Sequence, residues 1–157
     1  VRTPMEWADE EHGGFTTAKK PVHPVIDDGV WSFRHVNVAE QRRDADSFLN
    51  WMAKMIRLRK ECPEIGMGRC SVIATGSKYV LGLRYDWRGN SVITLHNFDE
   101  RPHSASLRLT DKEVPRLSNL LAAVEIRAGK KGTFDVALDA LNYCWMRVGG
   151  LDYAAHS

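Results

Sequence analysis

The sequence predicts an α+β chain in which one long helix precedes a run of short antiparallel strands, and three observations predict it. Apolar residues recur at helical spacing in a single long stretch, Asp44 to Cys62. From Arg69 onward they alternate at strand spacing between turn signals. The residues before Asp44 show little periodicity of either kind.

Within the helical stretch, Phe48, Leu49, Met52, Met55 and Ile56 follow the i, i+1, i+4, i+7, i+8 pattern of one buried face. Trp51 and Leu58 widen that face, and Asn50, Lys54, Arg57 and Glu61 leave only a narrow polar stripe opposite. Asp44 and Asp46 are placed to offer carboxylates to the first unpaired N–H groups, while Arg57, Arg59 and Lys60 complement the carbonyl end. Pro63 stops the helix. So much apolar circumference needs cover, which points to a packing surface outside this chain.

Residues 1–43 open on VRTPMEW, without an initiator methionine or an element-starting signal, as expected of a piece of a longer polypeptide. Pro4, Pro21, Pro24 and the Gly13-Gly14 pair break up regular structure, and Trp7, Phe15, Trp31 and Phe33 argue against disorder. A loop wrapped over a hydrophobic surface accounts for both. After the helix, Pro63 to Gly68 reads as a turn-rich connector. Cys70 to Thr75 is a first strand, and Tyr79–Tyr85 pairs with Ser91–Phe98 in a hairpin around the turn Asp86–Asn90. Ala105, Leu107 and Leu109 alternate as a half-solvated strand; Leu117–Val124 is apolar and reads as a strand or an irregular segment. Phe134, Val136 and Leu138 alternate again, and Tyr143–Val148 closes a set that fits a small sandwich or open barrel.

Composition narrows the function classes. At 157 residues, 43% hydrophobic and 27% charged, the chain has enough material for a core and the charge of an ordinary soluble protein. No apolar run approaches the roughly 18 residues that span a bilayer, so no membrane role is expected. A formal charge of +2 with scattered Lys and Arg gives no nucleic-acid footprint. Cys62, Cys70 and Cys144 lack C-x-x-C spacing and the six histidines lack H-x-H or H-x-x-x-H spacing, so neither a metal site nor a cofactor is expected. Reduced thiols suit a cytoplasmic protein.

Six blocks in order then carry a resemblance: Arg2-Thr3-Pro4-Met5-Glu6-Trp7, Gly14-Phe15-Thr16, Pro24-Val25-Ile26, Val36-Asn37-Val38-Ala39-Glu40-Gln41, Asp46-Ser47-Phe48-Leu49-Asn50-Trp51 and Arg57-Leu58-Arg59-Lys60. Together they resemble the α-amylase superfamily of glycoside hydrolases, in its branch of trehalose synthases and α-glucosidases. In that branch an R-T-P-M-Q-W motif follows the eighth barrel strand, and a loop with A-G-F-[ST] and V-N-V-x-x-Q stretches leads into the eighth barrel helix. The resemblance implies that residues 1–62 are the end of a (β/α)8 barrel, that 63–68 link, and that 69–157 are an antiparallel C-terminal β-sandwich domain. It implies a parent that breaks or rearranges α-glucosidic bonds of substrates such as maltose, with the rest of the barrel as this chain's partner.

A retaining glycosidase needs two carboxylates about 5 Å apart. The family places its catalytic acids on barrel strands four, five and seven, so the resemblance implies no catalytic residue in this chain. Asp9, Glu10, Glu11, Asp27 and Asp28 read as solvated loop residues. Arg2 is the one candidate substrate-binding residue, because loops after barrel strands build the active-site face and a guanidinium can fork onto sugar hydroxyls. The competing reading makes it a structural arginine pinning the loop. Glu6 stands where the family has glutamine, and Trp7 either stacks on sugar or packs beside Pro4 and Met5. Alternatives from other classes are a stand-alone carbohydrate-binding β-domain using Tyr79, Tyr85 and Trp87, and an oligomerisation module self-associating through the helix.

Overall fold

The structure, a computed structural model, describes residues 2–109, 116–122, 124–129 and 132–149. Val1, Ala123 in the expected Leu117–Val124 segment, and residues 150–157 of the expected β-domain lie outside the described residues. The chain divides into two compact units, Val1–Arg57 and Leu58–Ser157.

The first unit is largely irregular up to a short helix, α1 (Val38–Arg43), that sequence periodicity could not reveal. Six residues are too few for a repeat, but the cap is legible: Asn37 Oδ1 accepts from Glu40 N at 2.9 Å, and Asn37 Nδ2 donates to Phe33 O at 2.8 Å. The long helix, α2 (Phe48–Glu61), begins four residues after Asp44. Its caps differ from expectation. Asp44 Oδ1 turns onto Asp46 N, whereas Ser47 Oγ accepts from Asn50 N at 3.2 Å and Gln41 Oε1 accepts from Leu49 N at 2.9 Å. Asn50 in turn donates to the carbonyls of Gln41 and Asp44 at 2.9 and 2.7 Å, satisfying the end of α1 from within α2. The expected carboxylate caps lose because the turn at Asp44 places its side chain back on its own loop.

Pro63 both ends α2 and opens α3 (Pro63–Met67), occupying a first-turn position where a missing N–H costs nothing. The expected turn-rich connector is therefore a short helix, and it carries a buried Glu64.

The strands of the second unit are β1 (Arg69–Ile73), β2 (Val80–Trp87), β3 (Asn90–Asn97), β4 (His103–Arg108), β5 (Arg116–Asn119), β6 (Glu125–Arg127), β7 (Thr133–Leu138) and β8 (Tyr143–Val148). Among the described residues they form an antiparallel six-stranded sheet, ordered β1-β2-β3-β8-β5-β6, and a two-stranded sheet of β4 and β7. The β2–β3 hairpin turns on Arg88 and Gly89, both with positive φ (48° and 79°), which matches the twist of its strands. In Leu117–Val124 only the first residues are strand, and the three-residue β6 was not visible in the pattern.

Side chains from both sheets meet in one core. Ile93, Leu95, Leu117 and Met146 of the larger sheet pack with Ala105, Leu107, Phe134 and Val136 of the smaller one, all buried. A second, smaller cluster lies on the larger sheet's other face. There Leu58, Cys62 and Ile65 cover Val92 and Trp145.

Candidate functional site

The loop bearing Arg2 to Trp7 is held by backbone hydrogen bonds at both flanks. Trp7 N and Ala8 N donate to Gly13 O at 2.8 and 3.2 Å, while Val38 N donates to Glu6 O at 3.0 Å and Ala39 N to Trp7 O at 2.9 Å. The Arg2–Trp7 and Val36–Gln41 blocks, distant in sequence, are thereby joined, with the glycine turn at the loop's other flank; separately, Ile26 O accepts from Phe33 N at 2.9 Å. Gly13 makes the approach possible. Its φ is +64°, and a Cβ there would meet Phe33 Cβ at 3.4 Å and Glu6 Cα at 3.6 Å.

This frame displays Arg2, Met5 and Trp7 as exposed side chains and half-buries Pro4 and Glu6. A shallow apolar cavity of about 290 Å³ is lined in part by Thr3, Met5, Glu6, Ile26 and Gln41. Glu6 Oε1 is buried there without a hydrogen-bond partner, a cost the glutamine of the resemblance would not carry as a charge. His12 Nε2 is likewise without a hydrogen bond, and its nearest acid is Glu11 at 3.7 Å. Sequence reading missed both orphans, which burial alone reveals.

Asp9, Glu10, Glu11, Asp27 and Asp28 are all exposed, as solvated loop residues are. Among the described residues no cluster of three His, Cys, Asp or Glu side chains could hold a metal. Among the described residues no helix is long and apolar enough to cross a membrane.

Tyr85 and Trp87 stand at alternate positions of β2, and Tyr79 precedes that strand. Tyr79 stacks on His103 at 4.4 Å and carries Lys78 Nζ 4.9 Å from its ring, so its faces are engaged. Trp87 sits at the far end of β2 beneath the Arg88 guanidinium at 4.6 Å, and Tyr85 is half-buried between them.

Most of the expected apolar face of α2 is bare, with Leu49 and Met55 half-buried and Leu58 buried. Phe48 is 68% exposed, Ile56 50% and Trp51 39%, and Phe48 and Trp51 stack on each other at 5.5 Å. A contiguous exposed apolar stripe of this kind marks a candidate interaction face.

Residues 1–68 match the family of the alpha amylase catalytic domain. Over the segment that holds the Arg2–Trp7 loop and α2, the chain is similar to the α-amylase family. Two enzymes give the relationship its detail. Trehalose synthase of Pimelobacter sp. (strain R48) is 26% identical over 154 residues, 94% of this chain and 27% of that enzyme. Oligo-1,6-glucosidase of Parageobacillus thermoglucosidasius is 29% identical over 123 residues, 77% of this chain and 20% of that enzyme. Among solved structures, the trehalulose synthase MutB of Pseudomonas mesoacidophila MX-45 shares the fold with a TM-score of 0.66 at 23% identity, over 94% of this chain and 25% of its own. The chain spans about a quarter of the length of these relatives.

Proposed function

We propose that this chain works as the C-terminal part of an enzyme that breaks or rearranges α-glucosidic bonds, of the trehalose synthase or α-glucosidase kind, and is not catalytic alone. In this reading residues 1–62 are the loop after the eighth barrel strand and the eighth barrel helix, 63–68 link, and 69–157 form the C-terminal β-sandwich domain. α-Glucosides such as maltose are the substrates of the whole enzyme, whose retaining carboxylate pair belongs to the rest of the barrel. The enzyme is cytoplasmic, in keeping with three free cysteines.

The observation that supports this reading best is the bare apolar face of α2, Phe48, Trp51, Met52 and Ile56, inside the very segment that matches a catalytic domain. Covering it is the work of a barrel wall. In this reading Arg2 lies at the rim of the whole enzyme's pocket; its exposure on a loop whose backbone is fixed at Glu6 and Trp7 supports that.

The test is turnover. The 157-residue chain is expected to release no glucose, trehalose or fructose from maltose or sucrose, whereas the enzyme-length polypeptide does. Product formed by the pure chain overturns the reading. In the enzyme-length polypeptide, Arg2→Ala is expected to lower kcat/KM with the melting temperature unchanged; a fall in stability without a fall in activity per folded molecule makes Arg2 a pinning residue.

A further inference from the structure

The core side of the larger sheet changes character along β2. Antiparallel partners share a face, and the register sets Arg84 opposite Ile93 and Asp86 opposite Ser91. Arg84 and Asp86 therefore stand on the same face as the buried Val80 and Ile93. Charged side chains are costly there unless something holds them. What holds them is local: Asp86 Oδ1 accepts from Arg84 Nε at 2.8 Å and from Ser91 Oγ, and Arg84 Nη2 donates to Ser91 Oγ at 3.0 Å. The carboxylate is fixed through one oxygen. Among the described residues its other oxygen, Oδ2, accepts no hydrogen bond, and the side chain is 42% exposed.

Arg84 and Asp86 line a cleft of about 530 Å³ between β1–β2 and β4, a volume in the range that holds small ligands. Ile73, Leu107 and Leu109 give the cleft an apolar surface, and β4 adds the exposed Arg108. Ser106 N donates to Thr75 O at 2.8 Å, which ties β4 to the chain just after β1 and fixes the spacing of the two walls.

The lining selects among ligand classes. One carboxylate is too few for a metal ion, and an anion drawn to Arg108 meets the open oxygen of Asp86. An apolar ligand leaves both charges in the cleft desolvated and unpaired. A neutral ring dense in hydroxyls avoids all three penalties. Each hydroxyl donates and accepts, so it pairs with an acceptor-only carboxylate and a donor-only guanidinium, while the C–H face of the ring lies on the aliphatic surface.

We propose that this cleft is a second, non-catalytic saccharide site, taking an α-glucoside of maltose size with Asp86 Oδ2 accepting from one hydroxyl and Arg108 donating to its neighbour. The choice of α-glucosides rests on the reading given under the proposed function. The site deepens that reading by giving the β-domain a hold on the sugar apart from the reacting bond.

Amide NMR spectra of the 157-residue chain, titrated with maltose, test it. Saturable shifts at Ser71, Ser106 and Leu109 are expected, with a Kd of about 1 mM for an open cleft that no aromatic side chain lines. Asp86→Asn and Arg108→Met should each weaken binding about tenfold, as the loss of one charge-assisted hydrogen bond does. Arg108 is exposed, so its replacement should leave the urea midpoint unchanged and separates weaker binding from a folding defect. Shifts confined to residues outside the cleft, or binding unaltered in both variants, overturn the site. Inorganic phosphate displacing maltose from the cleft makes it an anion site and also overturns the inference. The proposed function is read separately, from turnover of maltose by the enzyme-length polypeptide. Turnover there without maltose binding in the cleft overturns this inference alone; neither turnover nor binding overturns both.

Discussion

Replacing Arg147 with methionine tests whether the join between α3 and the sheet depends on a buried charge pair. Arg147 Nη1 lies 3.1 Å from Glu64 Oε1, with side chains 9% and 1% exposed. Arg147 Nη2 donates to Cys62 Sγ at 3.5 Å, and Glu64 Oε2 has no hydrogen-bond partner. Arg147→Met therefore strands a carboxylate with neither oxygen paired, in a site closed to water. Breaking a buried pair from one side costs about 3–5 kcal/mol. With a urea slope of about 2 kcal/mol per molar, that moves the midpoint down by roughly 2 M. Glu64→Gln keeps an acceptor for Arg147 and costs about 1–2 kcal/mol. In the Glu64→Gln background, Arg147→Met no longer isolates a charge, so the two substitutions should couple by about 2–3 kcal/mol. Urea titration of the four proteins by far-ultraviolet circular dichroism measures the cycle. A loss below about 1 kcal/mol for Arg147→Met, or additive effects, would refute the claim that Glu64 is held as a charge by Arg147.

Other perturbations follow from the same geometry. Gly13→Ala must place a Cβ at φ +64° against Phe33 and should cost about 1–2 kcal/mol, read as a lower thermal midpoint of the chain. Ser47→Ala should cost about 1 kcal/mol, whereas Asp44→Ala and Asp46→Ala should each cost less, since Ser47 and not either aspartate caps α2; equal losses in a urea series would show the caps to be shared. Iodoacetamide should alkylate exposed Cys70 well before buried Cys62 and Cys144, as peptide mapping would show. Burial pushes the Cys144 thiol up to about 11, so the stability it contributes is complete below pH 9.0 and is lost as pH rises through about 11. The loss amounts to about 2–3 kcal/mol, and Cys144→Ala should flatten that limb of the stability curve.

How much was legible in the sequence differs by element, for physical reasons. β7 could be read because its side chains alternate between a filled core and a less buried face, so a two-residue period survives in the composition, and the β2–β3 hairpin because a turn signal separates two apolar runs. α1 and β6 could not, being six and three residues long, too short to repeat their periods twice. The α2 boundary moved because capping is decided by loop geometry: Asp44 is as good a cap chemically as Ser47, but only Ser47 stands where α2 begins. The α3 turn was hidden by Gly66 and Gly68, which count against a helix in any propensity sum. The orphaned Glu6 Oε1 and the Glu64–Arg147 pair depend on burial between distant segments, which a local pattern does not encode.

The candidate site shows a sharper limit. In the Arg2–Trp7 loop the groups that hold the structure are main-chain: Glu6 O, Trp7 N and O, and Gly13 O. A motif whose hydrogen bonds are made by backbone constrains side chains only through size and dihedral, which is why a glycine turn and a proline at position 4 are legible in it. Chemistry needs the opposite, a side chain whose polar atoms converge on a reacting group, and here the exposed Arg2 points to none within the loop. The residue blocks therefore carry a fold signal far stronger than any catalytic one. The proposed function would account for the exposure of Phe48, Trp51, Met52 and Ile56 on α2, since a helix that lies against a barrel wall keeps the side chains that wall requires. Polar replacements at those four positions should leave the short chain as stable as before, as a urea titration would measure, and a loss of stability in the short chain would show that the face is covered from within.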